Sequence, residues 1–306
     1  MPKAPLESTK LIMGRMRQLE IRTRRMVNDG LAGAYHSVFK GRGMDFDEVR
    51  EYSPGDEVRT IDWNVTARAG RPFVKKYTEE RELTIFLIVD ISASGNFGSG
   101  ALSKRDLAAE LASALAFSAI RNSDKVGLLL YTDRVERFLP PKQGRRHVLR
   151  VVRDALYHQP EGIGTDTGKA LDVANRVLQR RAVVFLISDF ESPGEPARVR
   201  TALRRALRQT HQRHDLIAVA IEDPRERELP DVGIVALEDA ESGEIVEIDT
   251  GSAAVRRRFA AASLERSRQW QSDCRAEGVD TLRLRTDQAY LPALQRLFAS
   301  RGRARA

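Results

Sequence analysis

The chain has 306 residues, of which 42% are hydrophobic and 31% charged, and it carries a formal net charge of +8. Its apolar runs, such as Ala182 to Ile187, fall far short of the roughly 20 residues that a membrane-spanning helix needs. The amino-terminal stretch does not have the apolar segment of a signal peptide, so we expect a cytoplasmic protein. Cys274 is the only cysteine, which excludes an internal disulfide framework and a thiolate metal cluster.

The positive charge is concentrated at the two ends of the chain. Residues 1–30 hold seven Lys and Arg against three Asp and Glu, and residues 253–306 hold twelve against five. Such ends can attract nucleic acid, anionic lipid or an acidic protein. The aromatic residues do not interleave with the basic runs as a base-stacking surface requires. We therefore favour solvated helix faces, with nucleic-acid binding as a weaker alternative.

The first 82 residues have few apolar residues and are expected to form a small region appended to a main domain over 83–306. Residues 6–30 have the spacing of a basic amphipathic helix, and residues 34–52 alternate in the manner of strand. Ser53 to Asp56 is a turn signal, since it combines Pro and Gly. Trp63 is expected to anchor this region in the main core. Four charged residues are expected to form a structural ion-pair network that docks this region, with a partner-binding surface as the weaker alternative: Asp56, Arg59, Asp62 and Arg68.

From Leu83 onward, strand and helix patterns alternate, which indicates a doubly wound, mostly parallel α/β sheet. Core strands are predicted at 83–90, 125–131, 182–188, 216–221 and 281–284, with a short edge strand at 135–139. Ser103 and Asp106 have capping-box spacing at the start of a helix. Further helices are predicted after Gly144 and over 167–179, 196–213, 252–277 and 289–300. Residues 234–237 and 245–248 flank Glu241 to Glu244 and indicate a hairpin.

Polar oxygen-bearing residues follow two of these core strands. The apolar run that begins at Leu83 ends at Asp90 and is followed by Ser92 and Ser94. Asp189 follows the third core strand, and Thr165 stands at a helix start. Because ligands of open α/β sheets bind beyond the carboxyl ends of the strands, we expect these five residues to converge. Carboxylates and hydroxyls without His or Cys favour Mg²⁺, Mn²⁺ or Ca²⁺ over Zn²⁺.

This pattern resembles the metal-ion-dependent adhesion site of von Willebrand factor A domains. The matching pieces are Asp-x-Ser-x-Ser, a later Gly-Thr-x-Thr at a helix start and a later Ser-Asp after an apolar strand. The resemblance implies that Ser92, Ser94 and Thr165 coordinate the metal directly, and that Asp90 and Asp189 often act through water. The chain has Ala-Ser-Gly where Gly-Ser-Met is common, without loss of a ligand.

The segment upstream of the main domain resembles a second hallmark. Residues 41–56 (GRGMDFDEVREYSPGD), the segment Val58 to Trp63 and Ala67-Arg68 are similar to the bacterial family called domain of unknown function 58. This resemblance covers about residues 30–300. It implies a von Willebrand factor A-like domain and a gene typically placed beside a MoxR-type AAA+ ATPase. Many relatives have membrane helices before the hallmark, and this sequence lacks such a segment.

Taken together, these features predict a metal-dependent protein-binding adaptor rather than an enzyme. The expected partners are a MoxR-type ATPase and a client protein whose Asp or Glu completes the coordination of Mg²⁺. The sequence has neither a Gly-x-Ser-x-Gly motif nor a P-loop lysine motif. Ser and Asp after strands also serve as helix caps, which is the simpler interpretation of Thr165 or Asp189 taken alone. A divalent-metal-dependent hydrolase using Asp90 remains an alternative.

Overall fold

The computed structural model describes residues 45–78, 83–190, 197–241 and 243–305, together with the isolated Gly14. The helix expected over 6–30 and the residues 41–44 of the hallmark lie outside these ranges. The strands are β1 (Asp45–Glu51), β2 (Phe73–Thr78), β3 (Thr84–Asp90), β4 (Lys125–Tyr131), β5 (Val135–Lys142), β6 (Val183–Ser188), β7 (Asp215–Glu222), β8 (Ile234–Glu238), β9 (Ile245–Asp249) and β10 (Asp280–Arg285). The helices are α1 (Trp63–Ala69), α2 (Lys104–Arg121), α3 (Arg145–Tyr157), α4 (Thr167–Val177), α5 (Ala197–Arg213), α6 (Pro224–Arg227), α7 (Ala253–Ala276) and α8 (Leu291–Arg305).

A six-stranded sheet with the order β10-β7-β6-β3-β4-β5 forms the centre of the molecule. All neighbouring strands are parallel except β4 and β5, which pair antiparallel. The chain builds outward from β3 through β4 to one edge, and then returns to the other side of β3 with β6, β7 and β10. The expected doubly wound, mostly parallel α/β fold is confirmed.

Both faces of the sheet are covered, because its central strands are apolar on both sides. Ile85, Leu87 and Val89 point into a core formed with α2, α3 and α8. Phe86 and Ile88 point into a second core formed with α4, α5 and α7. The register of β3 with β4 places Asp90 opposite Tyr131, at the carboxyl end of the strand.

The expected capping box of Ser103 and Asp106 is present at the start of α2, where each side chain accepts a hydrogen bond from the backbone N–H of the other residue. Gly127 in β4 lies where a side chain would not fit, since a Cβ there would be 2.6 Å from the Phe86 ring. The predicted hairpin is formed by β8 and β9. The described ranges contain no helix that is long and apolar enough to span a bilayer.

Before the main sheet, the described residues 45–78 form an antiparallel pair, β1 and β2, and the short helix α1. Asp62 begins α1 by accepting hydrogen bonds from the backbone of Asn64 and Val65. Arg50 forms a bidentate ion pair with Asp56 within the same region. The expectation that Trp63 anchors the region in the main core is wrong, because this side chain is 67% exposed. As the first residue of α1, Trp63 faces solvent instead.

Candidate metal and ligand site

The candidate site lies where the winding of the sheet reverses direction. β3 is flanked by β4 on one side and β6 on the other. After β3 the chain adds β4 and β5 on one side, and it then crosses over to add β6 and β7 on the other side. Asp90 ends β3, and Asp189 follows Ser188, the last residue of β6. In doubly wound sheets, the crevice at such a reversal is the usual place for a ligand.

Asp90 is a buried carboxylate held by two hydrogen bonds. The backbone N–H of Ser92 donates to its Oδ1 at 2.9 Å, and the hydroxyl of Ser188 donates to its Oδ2 at 2.7 Å. Burial, followed by the negative charge of Asp189, raises the pKa of Asp90 from 3.8 to about 6. The fold thus holds Asp90 in a place where its negative charge is costly, which is a common property of functional sites.

Two serine hydroxyls lie beside this carboxylate. Ser92 is buried, and its Oγ is 3.1 Å from the Oγ of Ser94. Both serines line one small, partly open pocket with Asp90 and Asp189. Four of the five residues predicted from the sequence therefore share a single concave surface.

Lys104 adds a cation that the sequence analysis missed. It is the first residue of α2, it is 3% exposed, and its Nζ donates to Oδ2 of Asp189 at 2.7 Å and to Oε1 of Glu226. Burial alone lowers the pKa of Lys104, but the two carboxylates outweigh burial and leave the pKa raised. One sequence signal could have found it: a lysine in the first turn of a helix opposes the helix dipole, so it needs a nearby anion.

Glu226 is placed by a second buried carboxylate, Asp223. Asp223 starts the short helix α6, and its backbone N–H donates to Oε2 of Glu226. The carboxylate of Asp223 accepts hydrogen bonds from Ser99, Thr286 and the backbone of Arg225. Burial raises the pKa of Asp223, but these bonds outweigh burial and the pKa is lowered. Asp223 is thus a structural carboxylate, in contrast to Asp90.

Thr165 is placed differently from the other four predicted residues. Its hydroxyl donates at 2.7 Å to Oε1 of Glu241, which lies between β8 and β9. The loop that carries Thr165 is tied to the serine loop by a hydrogen bond from the Ala93 N–H to the Ile163 carbonyl. The carboxylate of Glu136 holds the same loop by accepting from the backbone of Glu161 and Gly162.

The donor set is chemically suited to a hard divalent cation. Within the described ranges, no group of three or more His, Cys, Asp or Glu side chains gathers as a metal site. A cation would therefore depend on Asp90 and Asp189 together with the serine hydroxyls. Asp90 is buried and shares the pocket with Asp189, so its negative charge is costly, and a positive charge in the pocket would relieve that cost.

Comparison with known proteins identifies the family. The model described as "Protein of unknown function DUF58" matches residues 48–269. The chain belongs to the DUF58 family. Uncharacterized proteins of Mycobacterium bovis and Mycobacterium tuberculosis are each 36% identical to it over 290 residues, covering 94% of this chain and 89% of the relative. The family expected from residues 41–68 is confirmed.

Solved structures similar to this DUF58 chain have low sequence identity. The conserved hypothetical protein BatB from Bacteroides thetaiotaomicron is 16% identical, with a TM-score of 0.45 over 72% of this chain and 99% of that chain. A von Willebrand factor type A protein from Catenulispora acidiphila is 15% identical, with a TM-score of 0.42 over 75% of this chain and 44% of that chain.

Proposed function

We propose that this DUF58 protein is a protein-binding module that captures an acidic side chain of its partner at a divalent cation. The observation that carries the proposal is the buried carboxylate of Asp90 beside Asp189 and two serine hydroxyls in one pocket open to solvent. Asp90, Ser92, Ser94, Asp189 and Thr165 would hold Mg²⁺, or Mn²⁺ or Ca²⁺ in its place. The cation would supply the positive charge that attracts a carboxylate.

The residues of the chain divide the work of such a site. Asp90 and Asp189 provide negative charge, while Ser92 and Ser94 provide neutral oxygen donors. Lys104 already neutralises one oxygen of Asp189 through its ion pair. Because Lys104 is shared with Glu226, it does not cancel the charge of Asp189 by itself. With only two carboxylates in the set, Mg²⁺ would keep coordination positions open for an outside carboxylate.

We further propose that its partners are a MoxR-type AAA+ ATPase and a client protein in the cytoplasm. The support for the ATPase is the family resemblance alone. In this account the ATPase supplies energy for remodelling or maturation of a complex, and the DUF58 chain recruits the client through the client's Asp or Glu.

A pull-down with purified components tests this function. The full chain is immobilised and mixed with a MoxR-type AAA+ ATPase and with candidate clients, in Mg²⁺ or in EDTA. Binding should require Mg²⁺ and should be lost in Asp90→Ala. Asp287→Asn is the control, because Asp287 is an aspartate of the main domain that pairs with Arg285 and does not line the pocket. Binding that ignores both EDTA and Asp90→Ala would refute the metal bridge.

A further inference from the structure

The β8–β9 hairpin brings a carboxylate against Thr165, one of the five predicted site residues. The hydroxyl of Thr165 donates to Oε1 of Glu241 at 2.7 Å. The other carboxylate oxygen lies over the preceding residue, since a Cβ built on Gly164 would be 3.7 Å from Oε2 of Glu241. Both oxygens of Glu241 therefore lie against the loop that carries Thr165. Of the five predicted site residues, Thr165 is the one that does not line the pocket.

The hairpin is held at its base and packs lightly along its length. At the base, the Thr250 hydroxyl donates to the Gly233 carbonyl, and Arg256 pairs with Asp231. Gly233 has a φ of +79°, a conformation that other residues adopt only with strain. Along the strands, Ile234 is 73% exposed and Ile245 is 65% exposed. Moving the tip away from Thr165 would consequently uncover little apolar surface.

The sequence of the tip supplies the chemistry of a ligand. Residues 238–244 contain three glutamates and one aspartate in seven positions. The Asp239 carboxylate accepts from the Glu241 backbone N–H at 3.1 Å, and the Gly243 N–H donates to the Asp239 carbonyl. These local bonds shape the turn that presents Glu241. Glu241 thus has the functional group that the proposed partner would bring.

We infer that Glu241 is an internal competitor, which occupies Thr165 in the resting protein and is displaced when an acidic segment of the partner binds. This inference rests on the proposed function, because it concerns the regulation of the same site. The apparent affinity for an outside carboxylate is then the intrinsic affinity multiplied by the fraction of molecules in which Glu241 is undocked. Release of the hairpin both frees the Thr165 hydroxyl and removes a local negative charge.

The test uses a fluorescent peptide with the sequence of residues 238–244 and the full-length protein in millimolar Mg²⁺. Glu241→Gln in the protein should tighten peptide binding about tenfold, as expected if the internal contact is populated in roughly nine molecules of ten. The matched control is Glu247→Gln, which makes the same charge change within β9 and should bind as the wild type does. A peptide with Gln in place of its central glutamate should bind more weakly to every protein.

A second measurement reads the contact without any ligand. In EDTA, hydrogen exchange of residues 161–168 and 234–249 should be faster in Glu241→Ala, which removes the acceptor of the Thr165 hydroxyl, than in the wild type, and unchanged in Glu247→Ala. Unaltered exchange in Glu241→Ala would overturn the inference. Mg²⁺-dependent peptide binding of equal strength in the wild type and Glu241→Gln would also overturn it while leaving the proposed function intact. Absence of Mg²⁺-dependent peptide binding in both proteins would instead refute the proposed function, and the competitor role with it.

Discussion

The substitution Asp90→Asn should stabilise the metal-free protein. The fold raises the pKa of Asp90 from 3.8 to about 6, so the unfolded chain loses this proton at a lower pH than the folded chain. The free energy of unfolding therefore falls as the pH rises between these values, and above pH 6 the full penalty is present. A shift of about two pKa units corresponds to about 3 kcal/mol.

The geometry lets asparagine keep most of the contacts of Asp90. Its amide oxygen can still accept from the Ser92 backbone N–H, and the Ser188 hydroxyl, which now donates to Asp90, can turn to accept from the new amide group. Weaker hydrogen bonds cost about 1 kcal/mol. The expected net gain is about 2 kcal/mol at pH 7.5, and it should shrink to about 0.5 kcal/mol near pH 5.

Asp223→Asn is the matched control, and it should lower the free energy of unfolding rather than raise it. Both oxygens of Asp223 accept from donors, and the backbone N–H groups of Ser99 and Arg225 cannot reverse. Its pKa is lowered, so its ionised form stabilises the fold above the unfolded pKa, and this contribution is lost as the pH falls. The loss at pH 7.5 should be about 2 kcal/mol or more.

Urea unfolding in EDTA, followed by tryptophan fluorescence at pH 7.5 and pH 5, measures both variants. Asp90→Asn should unfold at higher urea than the wild type at pH 7.5, with a smaller difference at pH 5. An Asp90→Asn variant that is less stable than the wild type at pH 7.5 would refute the reasoning that the Asp90 charge is unfavourable in the metal-free fold.

Three further predictions concern other parts of the structure. Lys104→Met removes the cation between Asp189 and Glu226 and should cost about 3 kcal/mol in EDTA; unchanged urea stability would show that the ion pairs are not needed. Gly127→Ala places a Cβ 2.6 Å from the Phe86 ring and should cost about 2 kcal/mol, whereas a neutral effect in the same assay would contradict the close packing of β4. Trp63→Ala should change the free energy of unfolding by less than about 1 kcal/mol, since the side chain is 67% exposed. A large loss of stability would instead show that Trp63 packs against the main core.

The central sheet was predictable because its signals are local. β3, β4 and β6 are short apolar runs that end in polar residues, and apolar side chains on both faces are typical of the covered strands of a parallel sheet. The start of α2 was predictable for the same reason, since Ser103 and Asp106 satisfy each other across three residues. β2 and α1 were missed, because their segments have mixed polarity and pair within a small region.

The site was predictable only in part, because some of its contacts join distant residues. Asp90, Ser92, Ser94 and Asp189 follow from strand ends and parallel topology. Lys104 pairs with Glu226 across 122 positions, and Thr165 bonds to Glu241 across 76 positions. No local pattern specifies such pairs. They depend on how α6 and the β8–β9 hairpin are placed against the sheet.

Calorimetric titration of the full chain with Mg²⁺ tests the central claim most directly. The wild type should bind one Mg²⁺ per chain, Asp90→Asn and Ser92→Ala should lose this binding, and Asp287→Asn should retain it. Because Asp90→Asn is expected to be folded and more stable in EDTA, its loss of binding could not be attributed to unfolding. A wild-type chain without measurable Mg²⁺, Mn²⁺ or Ca²⁺ binding, or an Asp90→Asn variant that binds as tightly as the wild type, would contradict the account.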